Sequence, residues 1–546
     1  MKTSDLSNCG EAVEASMHAA SSFGSHDGRE ATKETGIRQK IGFLCMLVGL
    51  FLAILDTQIV VASLKDIQAG LSASADEISW VQTSYLIGEI IMIPLSAFLS
   101  RLLSTRVLFT LSAAGFTVMS LACALASTMG EMVAYRALQG FMGGAMIPTV
   151  FATGFILFPP SKQAGVTVII GLISTLAPTV GPVLGGYVTE ALSWRWLFLI
   201  NIVPGAIIAT GVWFLIDVDR SDWSLIAGFD YIGLIFLAIC LGSLEYVLHQ
   251  GPRHDWLGDR NVRWYAVAGT LSAVLFFWRA LTYHRPVLEL RTFANCNFTV
   301  GCLFSFVLGI GLYGGDYLTT LYLAQSRGLN SLQIGEVMFV TGLFELVGAP
   351  VAWWLSRMID PRLMLASGYL LYGSGTYIMT GMTPEWEFQE LFLPQALRGF
   401  SLMLCFVPAT TLAFGTLAME HLQNASGLYN LMRNLGGTIG LAALDTMLNE
   451  RLALHWRRLA DSINAADPMV QEKLETWAET FEGMIAGDPA AAALNVFAGL
   501  VQRQAIVMSF NDCFMVVTGL FLVILLLIPL IRRPSWVTGS SIHKLG

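Results

Sequence analysis

Charge is scarce in this sequence. Asp, Glu, Lys and Arg together make up 13% of its 546 residues, about half the share of an ordinary soluble domain. The 31 Lys+Arg against 39 Asp+Glu leave a net charge of −8, so there is no basic surplus for nucleic acid. With 55% apolar residues and a mean hydropathy of +0.63, the chain is not disordered. A soluble enzyme of this length would need several charged-surfaced domains. Paired cysteines are lacking too. The eight cysteines stand singly, and Cys45, Cys123, Cys240, Cys302, Cys405 and Cys513 lie inside apolar runs. They read as small core residues, with no CxxC or CxxH pair for zinc and no disulfide framework. No HExxH occurs, His18, His26 and His543 fall in polar tails, and no G-x-x-x-x-G-K-[ST] loop is present. The chain therefore has no nucleotide engine of its own, and work done across a membrane must draw on a gradient or a partner.

What is present is a series of long apolar runs. Each of about 19–25 residues can cross a ~30 Å hydrocarbon core at helical rise. They fall near 40–63, 78–100, 106–127, 131–153, 163–188, 195–216, 228–248, 264–282, 297–320, 333–356, 362–381, 389–415, 425–448 and 508–531. The expectation is an all-α membrane protein with fourteen spans and both termini on one side. Arg101, Arg106, Lys162, Arg220, Arg285, Arg291, Arg357 and Arg362 fill one set of loops, while the opposite short loops carry little beyond Lys65 and Arg327. Despite Arg253, Arg260 and Arg263 in the 249–263 loop, that bias puts both ends in the cytoplasm. Residues 1–38 and 536–546 read as cytoplasmic tails, the first disordered and without the apolar core of a signal peptide. Residues 450–505, with Arg451, Arg457, Arg458 and Asp461 at helical spacing, read as short amphipathic helices outside the membrane.

The chain also repeats itself. Glu89-x4-Pro94-x4-Leu99-Ser100-Arg101-x4-Arg106 matches Glu345-x4-Pro350-x4-Leu355-Ser356-Arg357-x4-Arg362 at an offset of 256. Ala137-Leu138-x-Gly140-Phe141 matches Ala396-Leu397-x-Gly399-Phe400 at an offset of 259. The first pair lies on spans two and ten, the second on spans four and twelve. That numbering fits two six-helix halves, 39–217 and 291–535, with an inserted pair at 218–290 between them. Parallel halves around a central path are an architecture of secondary transporters.

Leu55-Asp56-Thr57-x-Ile59-Val60, Arg136-Ala137-Leu138-Gln139-Gly140 and Gly181-Pro182-x2-Gly185-Gly186 now carry a resemblance. Together with Trp194-Arg195-Trp196 to Asn201 and Asn424-Ala425-Ser426-Gly427, the chain resembles the major facilitator superfamily over roughly residues 40–535. Its likeness is to the fourteen-helix drug:proton antiporters, the EmrB-like multidrug exporters. The resemblance implies the major facilitator fold and efflux of amphipathic compounds by alternating access. It implies no cofactor beyond the proton motive force. A periplasmic adaptor and an outer-membrane channel are partners such exporters use in double-membrane bacteria. The loop after span two departs from the family pattern: Ala97, Arg101 and Ser104 stand where Gly, Asp and Gly are usual. The missing acid normally tethers the two halves, so the tether of that gate is left open.

An ionisable side chain inside the bilayer is costly and is a functional candidate by default. Glu89 lies ~16 Å along span two, near the midplane, and Glu345 at the same depth in span ten. Desolvation disfavours an ionised carboxyl, so such a group can take up a proton and release it when wetted or paired. The bland alternative is a carboxyl held neutral in helix packing. Asp56 carries the proton or joins spans one and five through polar contacts, and Arg136 is the buried counter-charge that senses either acid. Asp56, Glu89, Glu345 and Arg136 are the expected proton-coupling set. Gly181, Pro182, Gly185 and Gly186 form a bendable, closely packed stretch at the half–half boundary. Tyr85, Asp316, Tyr317, Phe344 and Arg433 are the candidates for substrate contact, with Trp80 and Tyr313 extending an aromatic wall and Arg433 a partner for Glu345. Glu245, on an inserted helix, is expected to lie outside the transport path. The competing readings are an exporter of one endogenous product such as a siderophore, a membrane receptor that has lost transport, and, remotely, an intramembrane enzyme.

Overall fold

The computed structural model describes residues 36–531 except 62, 75–76, 254, 285, 330, 464–466 and 483–487. The readings of residues 1–35 and 536–546 as tails lie outside the described residues. Helix occupies every position where a span was expected. We number these helices α1 (Ile37–Val61), α2 (Trp80–Leu103), α3 (Thr105–Leu125), α4 (Met129–Leu157), α5 (Pro160–Ala191), α6 (Trp196–Leu215), α7 (Tyr231–Gln250) and α8 (Arg260–Thr282). They continue as α9 (Cys296–Gln325), α10 (Ser331–Leu355), α11 (Pro361–Met379), α12 (Phe388–Phe414), α13 (Leu422–Ser462) and α14 (Pro489–Val523). Among the described residues, 12 helices are long and apolar enough to cross a membrane. The other two, α11 and α13, form where expected but fall short of that apolarity. Helix α11 has 19 residues, and α13 runs through 41 residues that include Asn430, Arg433, Asn434 and Asp445. The chain is a multi-pass membrane protein.

Local chemistry sets the ends of these helices. Pro160 and Pro361 occupy first turns, where the missing amide hydrogen costs nothing. Thr128 and Glu131 cap α4 reciprocally, and the Asp230, Asp259 and Asn295 side chains accept amide hydrogens at the starts of α7, α8 and α9. A π turn at Ile310–Gly314 interrupts α9 just before Asp316.

Packing repeats between the halves. In the first, α1 lies on α5, α2 on α4 and α3 on α6; in the second, α9 lies on α13, α10 on α12 and α11 on α14. The two bundles meet along two equivalent seams, α2 against α13 and α10 against α5. The inserted helices α7 and α8 pack on each other, and α7 lies against α2 and α13. It therefore covers one seam, while the other has no such cover among the described helices.

Residues 450–505 differ from the expected series of short helices. Helix α13 runs on to Ser462, α14 begins at Pro489, and one separate helix, Pro468–Phe481, lies between them against α14. Asp512 ties the extensions together, accepting from His455 Nε2 at 2.9 Å and facing Arg451 Nη1 at 3.5 Å.

Candidate functional site

Four helices of the first bundle converge on Asp56. Arg136 Nη1 on α4 donates to Asp56 Oδ2 at 2.5 Å, with both side chains fully buried. Asn201 Nδ2 on α6 and Gln139 Nε2 on α4 donate to Asp56 Oδ1 at 2.7 and 3.1 Å. Ser120 Oγ on α3 accepts from both amides, at 3.1 and 3.2 Å, and donates to the Phe198 carbonyl at 3.0 Å. Arg136 also donates to Gln139 Oε1 at 2.8 Å and to the Val81 carbonyl at 3.1 Å. The Tyr85 ring lies 4.2 Å from its guanidinium carbon, close enough for a cation–π contact. Such surroundings are what a buried ion pair requires, because the bilayer offers neither group water. Asp56 thus joins α1 to α3, α4 and α6 rather than to α5.

The second bundle holds a matching cluster that the sequence reading passed over. Arg398 Nη2 on α12 donates to Asp316 Oδ1 on α9 at 2.9 Å, and its Nη1 donates to Gln395 Oε1 at 2.6 Å and Thr319 Oγ1 at 3.2 Å. Tyr372 on α11 donates to the Gly311 carbonyl at 2.5 Å, inside the π turn, and lies 3.4 Å from Arg398 Nε. Asp316 is therefore held by an arginine within its own bundle. Arg398 and Gln395 were legible in the 259-residue repeat, but with Arg and Gln exchanged between registers.

The two expected acids, Glu89 and Glu345, occupy the two seams. Glu89 Oε1 accepts from Asn434 Nδ2 on α13 at 3.2 Å, a contact between bundles. Glu345 is fully buried, and neither of its carboxyl oxygens has a hydrogen-bond partner among the described residues. The Thr175 hydroxyl faces Glu345 from α5 but is committed to the Gly171 carbonyl at 2.9 Å. Asn434 and Thr175 stand 434 − 175 = 259 apart, the offset of the second repeat. Each seam thus sets an acid of one bundle against a polar residue at the equivalent place in the other.

Several expectations are corrected. Arg433 does not pair with Glu345: its Nη2 donates to Asn430 at 2.8 Å, and its guanidinium lies 5.4 and 5.5 Å from the Phe151 and Phe406 rings. The aromatic wall does not form either. Tyr85 covers Arg136, Trp80 lies 5.3 Å from Tyr246, Phe344 lies 5.7 Å from Phe392, and Tyr317 donates to Asp445 at 2.7 Å. None of Tyr85, Asp316, Tyr317, Phe344 or Arg433 lines the cavity of about 730 Å³ at the end where α1 begins. Phe98, Arg101, Phe229, Tyr283, Glu289 and His421 are among the residues that do.

The glycine-rich stretch of α5 faces α1 within its own bundle. A Cβ on Gly181 would stand 2.5 Å from Gln58 Cβ, and the Gly185 carbonyl accepts from Ser63 Oγ at 3.2 Å. Close approach across the seam comes instead from the partner's glycines: Gly335 and Gly342 of α10 seat Val183 and Thr179 of α5.

The end of α2 carries an ion pair to the second bundle in which this side supplies the base. Arg101 Nη1 donates to Glu289 Oε1 at 3.3 Å, and Glu289 leads into the second bundle. The backbone of Glu289 exchanges two hydrogen bonds with the Asn424 side chain, at 3.2 and 3.3 Å, beside the start of α13. Asp219 makes a second link, accepting from Thr105 N and Oγ1 at 2.8 Å and from Gln423 Nε2 at 3.3 Å. The repeat partner of Arg101, Arg357, stacks 3.8 Å from the Trp353 ring instead.

Paired bundles, equivalent seams and buried clusters agree with what the chain is similar to. The family model described as Major Facilitator Superfamily matches residues 46–441. The chain belongs to that superfamily. It is 42% identical over 470 residues to the colistin resistance protein EmrB of Acinetobacter baumannii, covering 86% of this chain and 92% of that protein. It is 26% identical to the multidrug export protein EmrB of Escherichia coli K12, over 93% of this chain and 98% of that protein. Within the superfamily it is therefore EmrB-like. The human organic anion transporter MFSD10 shares the fold at 13% identity, with a TM-score of 0.57 over 90% of this chain and all of that one. The proton:xylose symporter XylE does so at 11% identity, with a TM-score of 0.57 over 89% of this chain and 95% of that one.

Proposed function

We propose that this protein is a proton-driven exporter of amphipathic compounds that works by alternating access. The observation that carries the reading is the placement of Glu89 and Glu345 at the two seams. Rocking one bundle against the other opens and closes those seams, so an acid there is wetted in one state and dry in the other. A carboxyl that gains or loses a proton as its seam opens couples the proton gradient to the motion. In this reading Asp56–Arg136 and Asp316–Arg398 keep each bundle rigid and set the field at the seam acids. The gradient is the energy source, and no cofactor is needed.

The substrate class follows the names of similar proteins: colistin resistance for the Acinetobacter protein, multidrug export for that of Escherichia coli, and fatty acid resistance for FarB of Neisseria gonorrhoeae. We read all fourteen helices as crossings, α11 and α13 being screened from lipid by their neighbours. The loop charges then put both termini in the cytoplasm of an inner membrane, and residues 450–505 at the periplasmic face, where an adaptor and an outer-membrane channel would meet them. The deciding measurement is proton release from purified protein on adding substrate. Release by the wild type that is lost in Glu89→Gln supports the reading. No release across a broad panel of amphipathic compounds overturns it.

A further inference from the structure

The cavity at the end where α1 begins has no part in the proton-coupling scheme. Its volume of about 730 Å³ is that of a ligand pocket, not of a packing gap. Its walls come from the end of α2, the chain between α6 and α7, the end of α8 with the chain into α9, and the chain between α12 and α13. Part of the lining is aromatic, Phe98 lying 4.1 Å from Phe229. One wall is tied down where the Tyr283 hydroxyl donates to the Gly228 carbonyl at 3.3 Å. Gly228, Phe229 and Tyr283 flank the inserted pair, so the insertion closes the cavity on one side.

The lining sets Arg101, Arg291, His284 and His421 against one acid, Glu289. That acid is already matched, by Arg101 Nη1 at 3.3 Å and by His421 Nδ1 at 3.5 Å. Arg101 still leaves 34% of its side chain exposed. Arg291 is exposed and makes no ion pair among the described residues. Guanidinium groups with donors to spare suit an anion of several oxygens, phosphate above all. The lining also includes Leu281, which is 67% exposed on α8 beside Trp278 and Phe277, at 62% and 52%. Those side chains belong to a span, so the medium they meet is acyl chain. The cavity lies where α2, α8 and α12 end, the level at which a bilayer holds its headgroups. We propose that it seats one anionic phospholipid, with the phosphate on Arg291 and Arg101 and an acyl chain leaving past Leu281. A free anion has no use for the apolar exit, which is why a lipid fits better than phosphate alone. Such a lipid touches both bundles and the inserted pair, and shares Arg101 with Glu289. The proposal stands apart from the antiport reading.

The test titrates the purified full chain, in neutral detergent, with a fluorescent short-chain phosphatidylglycerol and reads anisotropy. Unlabelled phosphatidylglycerol should compete about tenfold better than phosphatidylcholine. Arg291→Gln should weaken binding by about fivefold to tenfold and Arg291→Glu by more, and neither exposed substitution threatens folding. Arg101→Gln should act in the same direction. Arg357→Gln is the control: it removes an equal charge at the repeat position, where the guanidinium stacks on Trp353 and does not line the cavity. It should stay within about twofold of wild type. An equal loss in Arg357→Gln and Arg291→Gln would mean that the lipid answers to overall charge, and that overturns the proposal. So does equal competition by phosphatidylcholine. Inorganic phosphate that competes as well as the short-chain lipid shows an anion site with no seat for a chain, and overturns it too.

Discussion

Gln139 and Arg398 occupy the same register of a repeated helix yet exchange roles. Helix α4 reads Arg136-Ala137-Leu138-Gln139-Gly140-Phe141, and α12 reads Gln395-Ala396-Leu397-Arg398-Gly399-Phe400. Positions three apart share a helix face, so either order presents one arginine and one glutamine to the bundle interior. In both bundles the arginine takes the acid and also donates to the glutamine. The acid has moved as well. Asp56 shifted by 259 falls at position 315, whereas the ion pair is made by Asp316, two residues after the π turn ends at Gly314. A π turn spends one more residue than an α turn, which accounts for the step.

Each ion pair therefore behaves as a unit. Removing one partner leaves a buried charge alone, at a cost of about 3–5 kcal/mol. Asp56→Asn and Arg136→Gln should each destabilise by that order, and the double variant by less than their sum. The same cycle on Asp316→Asn and Arg398→Gln should give the same sign. Unfolding in SDS reads all of them. Additive losses in either bundle would show that the pairing there contributes nothing.

Gly140 and Gly399 are seats for the neighbouring helix. A Cβ on Gly140 would strike the Tyr85 carbonyl, and one on Gly399 the Thr341 carbonyl, so α2 and α10 cannot stay in place against an alanine. Gly140→Ala and Gly399→Ala should each cost about 1–3 kcal/mol, as overpacking does. Both act on backbone, so neither is relieved by trimming the facing side chain. If Tyr85→Ala rescued Gly140→Ala, the clash would lie elsewhere.

The ion pair at Arg101 makes a charge-swap prediction. Arg101 and Glu289 are each about one-third exposed, side chains at 34% and 32%, so the pair is modest in stability terms. Its effect falls on the balance between open and closed gates. Arg101→Glu should open the end where α1 begins and raise labelling of a cysteine placed at Ser100, which is buried there. Adding Glu289→Arg should restore closure. If the double variant labels as readily as the single one, the tether is not electrostatic.

How much of this was legible varies with the kind of interaction. Helix positions follow from apolar runs alone, because the bilayer enforces them. Asp56, Glu89, Arg136 and Glu345 stood out because a charge in an apolar run is rare. Their neutral partners Asn201 and Gln139 stood out only as letters of motifs, and Asn434 not at all, since an amide in a membrane helix carries no charge signal. Arg398 was legible as part of the family match but not as a buried counter-charge, because its repeat partner is a glutamine. The burial of Glu245 against α13 was not legible, because the path of α7 across a seam is a fact of packing, and no pattern within α7 records it.

Glu345 offers the sharpest separation of function from structure. The group that faces its carboxyl is the Thr175 hydroxyl, whose oxygen can accept from a Gln amide as well, so Glu345→Gln costs little in hydrogen bonding. It also removes from a dry seam a group able to carry charge, which is costly there. Stability should hold or rise, while proton-coupled transport in proteoliposomes should fall by about tenfold or more. Glu89→Gln differs, because the side chain it replaces accepts from Asn434 and an amide oxygen can still do so. Its stability should also hold, but the bond between bundles would persist without reporting on protons. A Glu345→Gln protein that unfolds more readily yet transports at the normal rate would make Glu345 a packing residue and remove one of the two acids from the coupling scheme.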